Sequence, residues 1–174
     1  MATPSSLASK YGDSFYSYDC GGTYKWYLTQ YIETAREVGA IPVLVTPVSR
    51  LYYTNDGTIK PHHDSTDTTT GTLVTENNAY VEAVKQLAKE QNVLLIDGFE
   101  ITKNMYEEAY KADEKAANGK SVNGMQVMSA GDSTHSNKLG GFITAELFAQ
   151  QIQNMNISLS KAVKAPSRVA GVNP

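Results

Sequence analysis

Asp132 and His135 stand three residues apart in the segment Asp132-Ser133-Thr134-His135, and Gly140-Gly141 and an apolar-periodic stretch follow. A carboxylate and an imidazole at this spacing, on a loop entering a helix, can supply the acid and base arms of a nucleophilic site. The imidazole takes the nucleophile's proton, and the carboxylate holds the imidazole's tautomer and orientation. A tight loop lets the carboxylate reach Nδ1 while Nε2 stays open. The same residues also fit a plainer reading, with Asp132 capping a turn and His135 an ordinary polar surface group.

Such a site also needs a nucleophile, normally a serine on a strand-to-helix turn. Gly12-Asp13-Ser14 spells one nucleophile motif, but Pro4 to Lys10 is polar and serine-rich rather than strand-like. Ser14 is therefore expected to be a loop serine. Gly131-Asp132-Ser133 spells the motif again, with Met125-Gln126-Val127-Met128 as a short strand before it. Ser133, two residues from His135, cannot easily serve that imidazole. His62-His63-Asp64 could ligate a metal together with Asp132 and His135, but adjacent histidines in extended chain point to opposite faces. No metal or cofactor is expected.

The composition narrows the function classes. The chain has 174 residues, a net charge of -3 and 15 scattered basic residues, so no basic stripe for nucleic acid stands out. The single cysteine, Cys20, excludes an internal disulfide framework and a cysteine-based zinc site. No apolar run approaches the ~18 residues of a membrane span. Met1 to Ser6 is polar, unlike a signal peptide.

The elements that must hold the Asp-x-x-His loop follow from periodicity. Residues 1–22 read as a loop. Tyr24, Tyr27, Leu28, Tyr31, Ile32, Ala35 and Val38 repeat at helical spacing up to Gly39, which makes the tyrosines core residues first. Ile41 to Val45 is an apolar run suited to a parallel strand buried on both faces. Leu51 to Ile59, turning at Asp56-Gly57, reads as a hairpin with a type I′ turn. Residues 60–74 read as a polar surface loop. A second helix opens at Thr75 and carries Ala79, Tyr80, Ala83, Val84, Leu87 and Ala88 on one face; Asn92 to Asp97 is a second buried strand. A third helix is expected from about residue 100 to 117. Ser136 or Asn137 caps a last helix whose core face is Phe142, Ala145, Phe148, Ala149 and Ile152. From Ile157 an irregular tail follows. Alternating helices and apolar strands imply one α/β domain, a parallel sheet flanked by helices, over 1–174. Two central-type strands leave the sheet incomplete at its N-terminal side.

Three segments resemble the SGNH (GDSL-type) hydrolases, specifically the rhamnogalacturonan acetylesterase-like carbohydrate esterases. They are Gly22-Thr23-Tyr24 with Tyr31 to Arg36, the strand and exit Gly39 to Arg50, and Asp132 to His135 with Gly140, where Gly141 replaces the family's usual alanine. The resemblance covers about residues 22–155 and implies a flavodoxin-like fold. It implies that His135 is the general base and Asp132 its orienting carboxylate, with the serine and oxyanion blocks upstream of this chain. It places Arg50 on the cleft rim, although a surface salt bridge accounts for Arg50 equally well, and it offers His63 as a substrate contact. Among the tyrosines, Tyr52 and Tyr53 in the hairpin are the better candidates for carbohydrate contact. The activity implied is deacetylation of a pectin- or xylan-type polysaccharide, outside the cell. The possible partners are that polymer and the remaining N-terminal portion of the enzyme. The competing reading is a non-catalytic carbohydrate-binding domain, or an inactive fragment, using its tyrosine-rich hairpin.

Overall fold

The computed structural model describes residues 24–63, 65–66, 73–74 and 79–164. Ser14, Cys20 and Asp64 lie outside them. The chain divides into two compact units, one built on residues up to Pro47 and Pro61–Asp97, the other on Val48–Lys60 and the chain from Gly98.

In the first unit, helix α1 (Lys25–Glu37) leads through Gly39 to strand β1 (Val43–Val45). A two-rung antiparallel ribbon, β2 (Ser65–Thr66) and β3 (Leu73–Val74), lies within the stretch expected to be loop. Helix α2 (Ala79–Glu90) then returns to β4 (Leu94–Ile96). β1 and β4 pair in parallel with Val43 opposite Leu94 and Val45 opposite Ile96, as their continuous apolar runs imply. Ile32, Leu44, Val84, Leu87, Ala88 and Val93 form the core. Each fully buried aliphatic side chain there contributes roughly 1.5–3 kcal/mol.

Burial corrects two expectations in this unit. The buried stripe of α1 is Lys25, Thr29 and Ile32, while Tyr27, Tyr31 and Val38 are exposed. Tyr24 and Leu28 do pack against the core, so among the tyrosines the buried stripe is turned away from Tyr27 and Tyr31 only. Lys25 is buried because its ammonium donates to Gln86 Oε1 at 2.9 Å and lies 3.6 Å from Glu90 Oε1; burying a charge demands such partners. β1 is covered on one face only, through Leu44, with Val45 exposed.

The second unit holds the Asp-x-x-His loop. Its core joins Leu51, Tyr53, Ile59, Tyr106, Val127 and Met128. The expected hairpin is present as a Tyr53–Ile59 antiparallel bridge, but its turn is not type I′. Asn55 and Asp56 keep negative φ, and only Gly57 turns left-handed, at +87°. This is a three-residue loop with glycine in the position that L side chains resist. The Tyr110 ring packs where a Cβ on Gly57 would sit.

Helix α3 (Gly98–Lys111) ends earlier than expected. Beyond it Asp113 accepts hydrogen bonds from Ser121 Oγ and from the backbone N–H groups of Val122 and Asn123. That carboxylate sets the start of α4 (Val122–Gln126), a short helix that takes in Met125 and Gln126 of the expected strand, while Met128 still makes an antiparallel bridge with Ser136. Asn137 caps α5 (Lys138–Asn154), its Oδ1 accepting from Gly140 N at 3.0 Å. α5 meets the core through Leu139 and Ile143; of the expected face, Phe142, Phe148, Ala149 and Ile152 are half-buried and Ala145 is exposed. The helix is apolar on more than one side, so periodicity alone could not choose the face. A short helix α6 (Ser158–Ala162) replaces the start of the irregular tail. No described helix is long and apolar enough to cross a membrane.

The adjacent glycines of α5 give a paired test. A Cβ on Gly140 would lie 2.1 Å from Val127 O, whereas one on Gly141 meets nothing within 4 Å. Gly140→Ala is expected to destabilise by about 1–3 kcal/mol because backbone must move. Gly141→Ala is expected to stabilise by about 0.4–1 kcal/mol through a less free unfolded chain. Urea unfolding midpoints of the two variants check both signs.

Candidate functional site

The Asp132–His135 loop is closed at its base by backbone pairing. Ser129 N donates to His135 O at 2.9 Å, Met128 bridges Ser136, and Asn137 N donates to Val127 O at 3.1 Å. The Asn137 side chain adds a second clasp, its Nδ2 donating to the carbonyls of Gln126 and Met128 at 2.7 and 2.9 Å. The residue that caps α5 therefore also ties the incoming strand-like segment to the outgoing loop. Sequence reading found only its capping role, since the carbonyls it clasps lie 9 and 11 positions back.

Inside this closed loop the Asp132 carboxylate serves two purposes at once. Oδ1 accepts from Thr134 N at 2.6 Å and His135 N at 3.1 Å, shaping the turn. Oδ2 lies 2.5 Å from His135 Nδ1. With Asp132 ionised, Nδ1 carries the hydrogen that the carboxylate accepts, so the neutral ring presents Nε2 as a bare acceptor. The imidazole itself is 77% exposed. A general base needs this arrangement: a fixed tautomer with an accessible lone pair. The plain turn-capping reading is also true of Oδ1, so structural and chemical roles are divided between the two oxygens.

The backbone N–H of Thr134 and then the His135 side chain hold the Asp132 carboxyl down to about 2 from its ordinary 3.8. Its folded-state value is lower than its unfolded one, so the carboxylate's contribution to the loop is complete above about pH 4. That contribution is lost as the pH falls through about 2.

The segment after β1 runs beside this loop. Leu51 N donates to Ser133 O at 2.8 Å. Alternation then sorts the side chains: Leu51 and Tyr53 are buried, while Arg50 and Tyr52 are partly exposed. Arg50 Nη1 lies 3.4 Å from the Tyr52 hydroxyl, with the guanidinium 5.8 Å from the ring centroid. Hydrogen bonding to Arg50, and next to the Thr134 side chain, lowers the Tyr52 pKa. Arg50 thus lies near the Asp132–His135 loop through its neighbours, Leu51 bonded to Ser133 and Tyr52 to Thr134.

Tyr53 is corrected. It was expected to contact substrate, yet it packs in the core and its hydroxyl donates to Tyr106 O; burial raises its pKa. Tyr52 is the hairpin tyrosine beside the loop, and strand alternation from Leu51 was the available signal. His63 belongs to the first unit, where its ring lies 4.5 Å from that of His62 and its carbonyl accepts from Tyr80 N. Among the described residues no group of three or more His, Cys, Asp or Glu could hold a metal.

No family model matches the chain. In fold, it is similar to a crystal structure of the Bacillus subtilis protein YXIM, with a TM-score of 0.57 and 18% identity over 78% of this chain and 32% of that one. That likeness supports the α/β, flavodoxin-like arrangement expected from the sequence. In sequence, it is similar to two curated proteins of Bacillus subtilis strain 168. A probable rhamnogalacturonan acetylesterase, YesY, is 36% identical over 81% of this chain and 55% of its own length. The rhamnogalacturonan acetylesterase RhgT is 32% identical over 79% and 54%. The chain is related to rhamnogalacturonan acetylesterases and spans about half the length of these relatives.

The Asp132 geometry is open to direct measurement. An NMR titration of its side-chain carboxyl is expected to give a midpoint near 2, with the amides of Thr134 and His135 shifting in step. A midpoint near 4 would mean that the carboxylate does not hold the turn.

Proposed function

We propose that this chain carries the base-and-carboxylate arm of a serine ester hydrolase that removes acetyl groups from a pectin-type polysaccharide. The observation that carries the reading is the Asp132–His135 pair: a 2.5 Å contact to Nδ1 on a loop closed at both ends, with the ring exposed. The relationship to acetylesterases supports the substrate class.

In this mechanism His135 Nε2 takes the proton of a serine hydroxyl as it attacks the acetyl carbonyl. It then gives that proton to the departing sugar oxygen. A water repeats the sequence on the acyl-enzyme and releases acetate. Asp132 stays ionised throughout, orienting the ring and stabilising the imidazolium that forms. Among the described residues no serine hydroxyl is hydrogen-bonded to His135, and Ser133 lies within the turn itself, its carbonyl engaged by Leu51. The serine and the oxyanion donors therefore come, in this proposal, from sequence other than the described residues. A polymeric substrate of this kind would be met outside the cell.

The reading sets a clear expectation for hydrolysis. Alone, the chain should hydrolyse p-nitrophenyl acetate no faster than its His135→Ala variant, and a fluorophosphonate probe should leave it unlabelled. Loss of a triad nucleophile costs on the order of 10⁶ in turnover, and of one oxyanion donor about 10²–10³. Combined with a nucleophile-bearing segment from one of the longer relatives, it should turn over acetylated pectin, and His135→Ala should abolish that turnover. Clear activity of the chain alone that disappears on Ser14→Ala would overturn the assignment of the nucleophile.

A further inference from the structure

The second unit contains a cavity that takes no part in the proposed hydrolysis. Its volume is about 430 Å³, within the range of small-molecule sites. The buried side chains of Leu51 and Tyr53 line it, and so do Val122 and Met125, which are 61% and 41% exposed. Tyr53 offers it a ring rather than a hydroxyl, because the hydroxyl donates to Tyr106 O. None of Arg50, Tyr52, Asp132 and His135 lines it.

Two cations complete the lining, Lys115 and Lys120. The turn from Ala117 to Lys120 is closed by reciprocal backbone hydrogen bonds of 3.1 and 3.0 Å. Gly119, at a φ of +72°, seats that turn against the hairpin, since a Cβ there would lie 2.9 Å from Thr54 O. Both lysines are exposed. Among the described residues, no carboxylate stands within ion-pair distance of either ammonium. The neighbouring acid, Asp113, is engaged by Ser121 Oγ and by the backbone N–H groups of Lys115, Val122 and Asn123.

We propose that this cavity binds a small aromatic carboxylate, its ring among Leu51, Tyr53, Val122 and Met125 and its charge against Lys115 and Lys120. The site is separate from the esterase reading and does not depend on it. A flat ring suits the walls, because Tyr53 and the Met125 thioether both make favourable contacts with aromatic rings. The lysines select for charge, since an ammonium is a compact point charge with rotatable donors. Overall charge cannot supply this selectivity: the chain carries a net charge of -3, which repels anions, so attraction to one must be local. A second copy of the chain is a poorer occupant. A two-fold contact through this mouth would set the same lysines against each other.

The test reads binding directly. The full chain is titrated with 3-phenylpropionate and with the neutral 3-phenylpropionamide, following amide shifts at low salt. The acid is expected to bind about tenfold more tightly than the amide, with the largest shifts at Leu51, Lys120, Val122 and Met125. High salt should narrow the difference, because exposed charges are screened. Lys115→Gln combined with Lys120→Gln should erase the preference while leaving the amide's affinity as it was. Val122→Glu, which sets a negative charge at the cavity, should weaken the acid more than the amide. Lys111→Gln, outside the cavity, should change neither. Unchanged amide spectra elsewhere show that each variant is folded. Equal affinity for acid and amide, binding of neither, or a preference that survives the double lysine variant would each overturn the proposal. So would shifts at Val122 and Met125 that grow with protein concentration before any probe is added, which would assign the cavity to a second copy.

Discussion

The second unit depends on one carboxylate. Asp132 uses one oxygen to accept two backbone N–H groups and the other to accept from an imidazole. The first contact fixes where the turn goes, and the second fixes which nitrogen of His135 carries hydrogen. Neither works without the other. A carboxylate free to rotate would leave the ring tautomer undecided, and a turn without the carboxylate would leave two backbone donors without their acceptor. The depressed pKa of Asp132 expresses the same coupling, since protonation would disrupt both contacts together.

Around this carboxylate the chain assembles support from far along the sequence. Leu51 and Tyr53 enter the core that also receives Val127 and Met128, so the hairpin and the segment before the loop share one apolar anchor. That anchor sets the height of Leu51 against Ser133, and it leaves Arg50 and Tyr52 partly exposed, with Tyr52 against Thr134 of the loop. The buried residues do not touch substrate in the proposed mechanism. They decide which polar side chains can.

Much of this was legible in the sequence. The order of helices and apolar strands, the parallel pairing, and the Asp132–His135 pair all followed from periodicity and spacing, because each rests on residues close together in the chain. The misreadings share a cause. The buried stripe of α1, the core-facing side of α5 and the inward direction of Tyr53 are set by a partner distant in sequence. A helix apolar on two sides, such as α5, offers no internal preference. The turn at Asn55-Asp56-Gly57 was misassigned because Asp-Gly serves two loop lengths, and only the pairing of Thr54 with Thr58 distinguishes them. Which of Tyr52 and Tyr53 lies beside the loop is decided by the rung that Leu51 makes with Ser133, a partner far along the chain.

The clasp at the base of the loop has a consequence for how this segment can vary. Ser129 and His135 are bonded to each other, and Asn137 bonds back to Val127, so the residues between are a closed ring rather than a free excursion. Side chains within it, such as Ala130, can be exchanged without altering the path. Length cannot: one residue added or removed displaces the chain by roughly 3.5 Å, more than a hydrogen bond tolerates, and rotates the imidazole off its carboxylate. Drift in this stretch is therefore confined to substitution, and insertions must fall outside the ring.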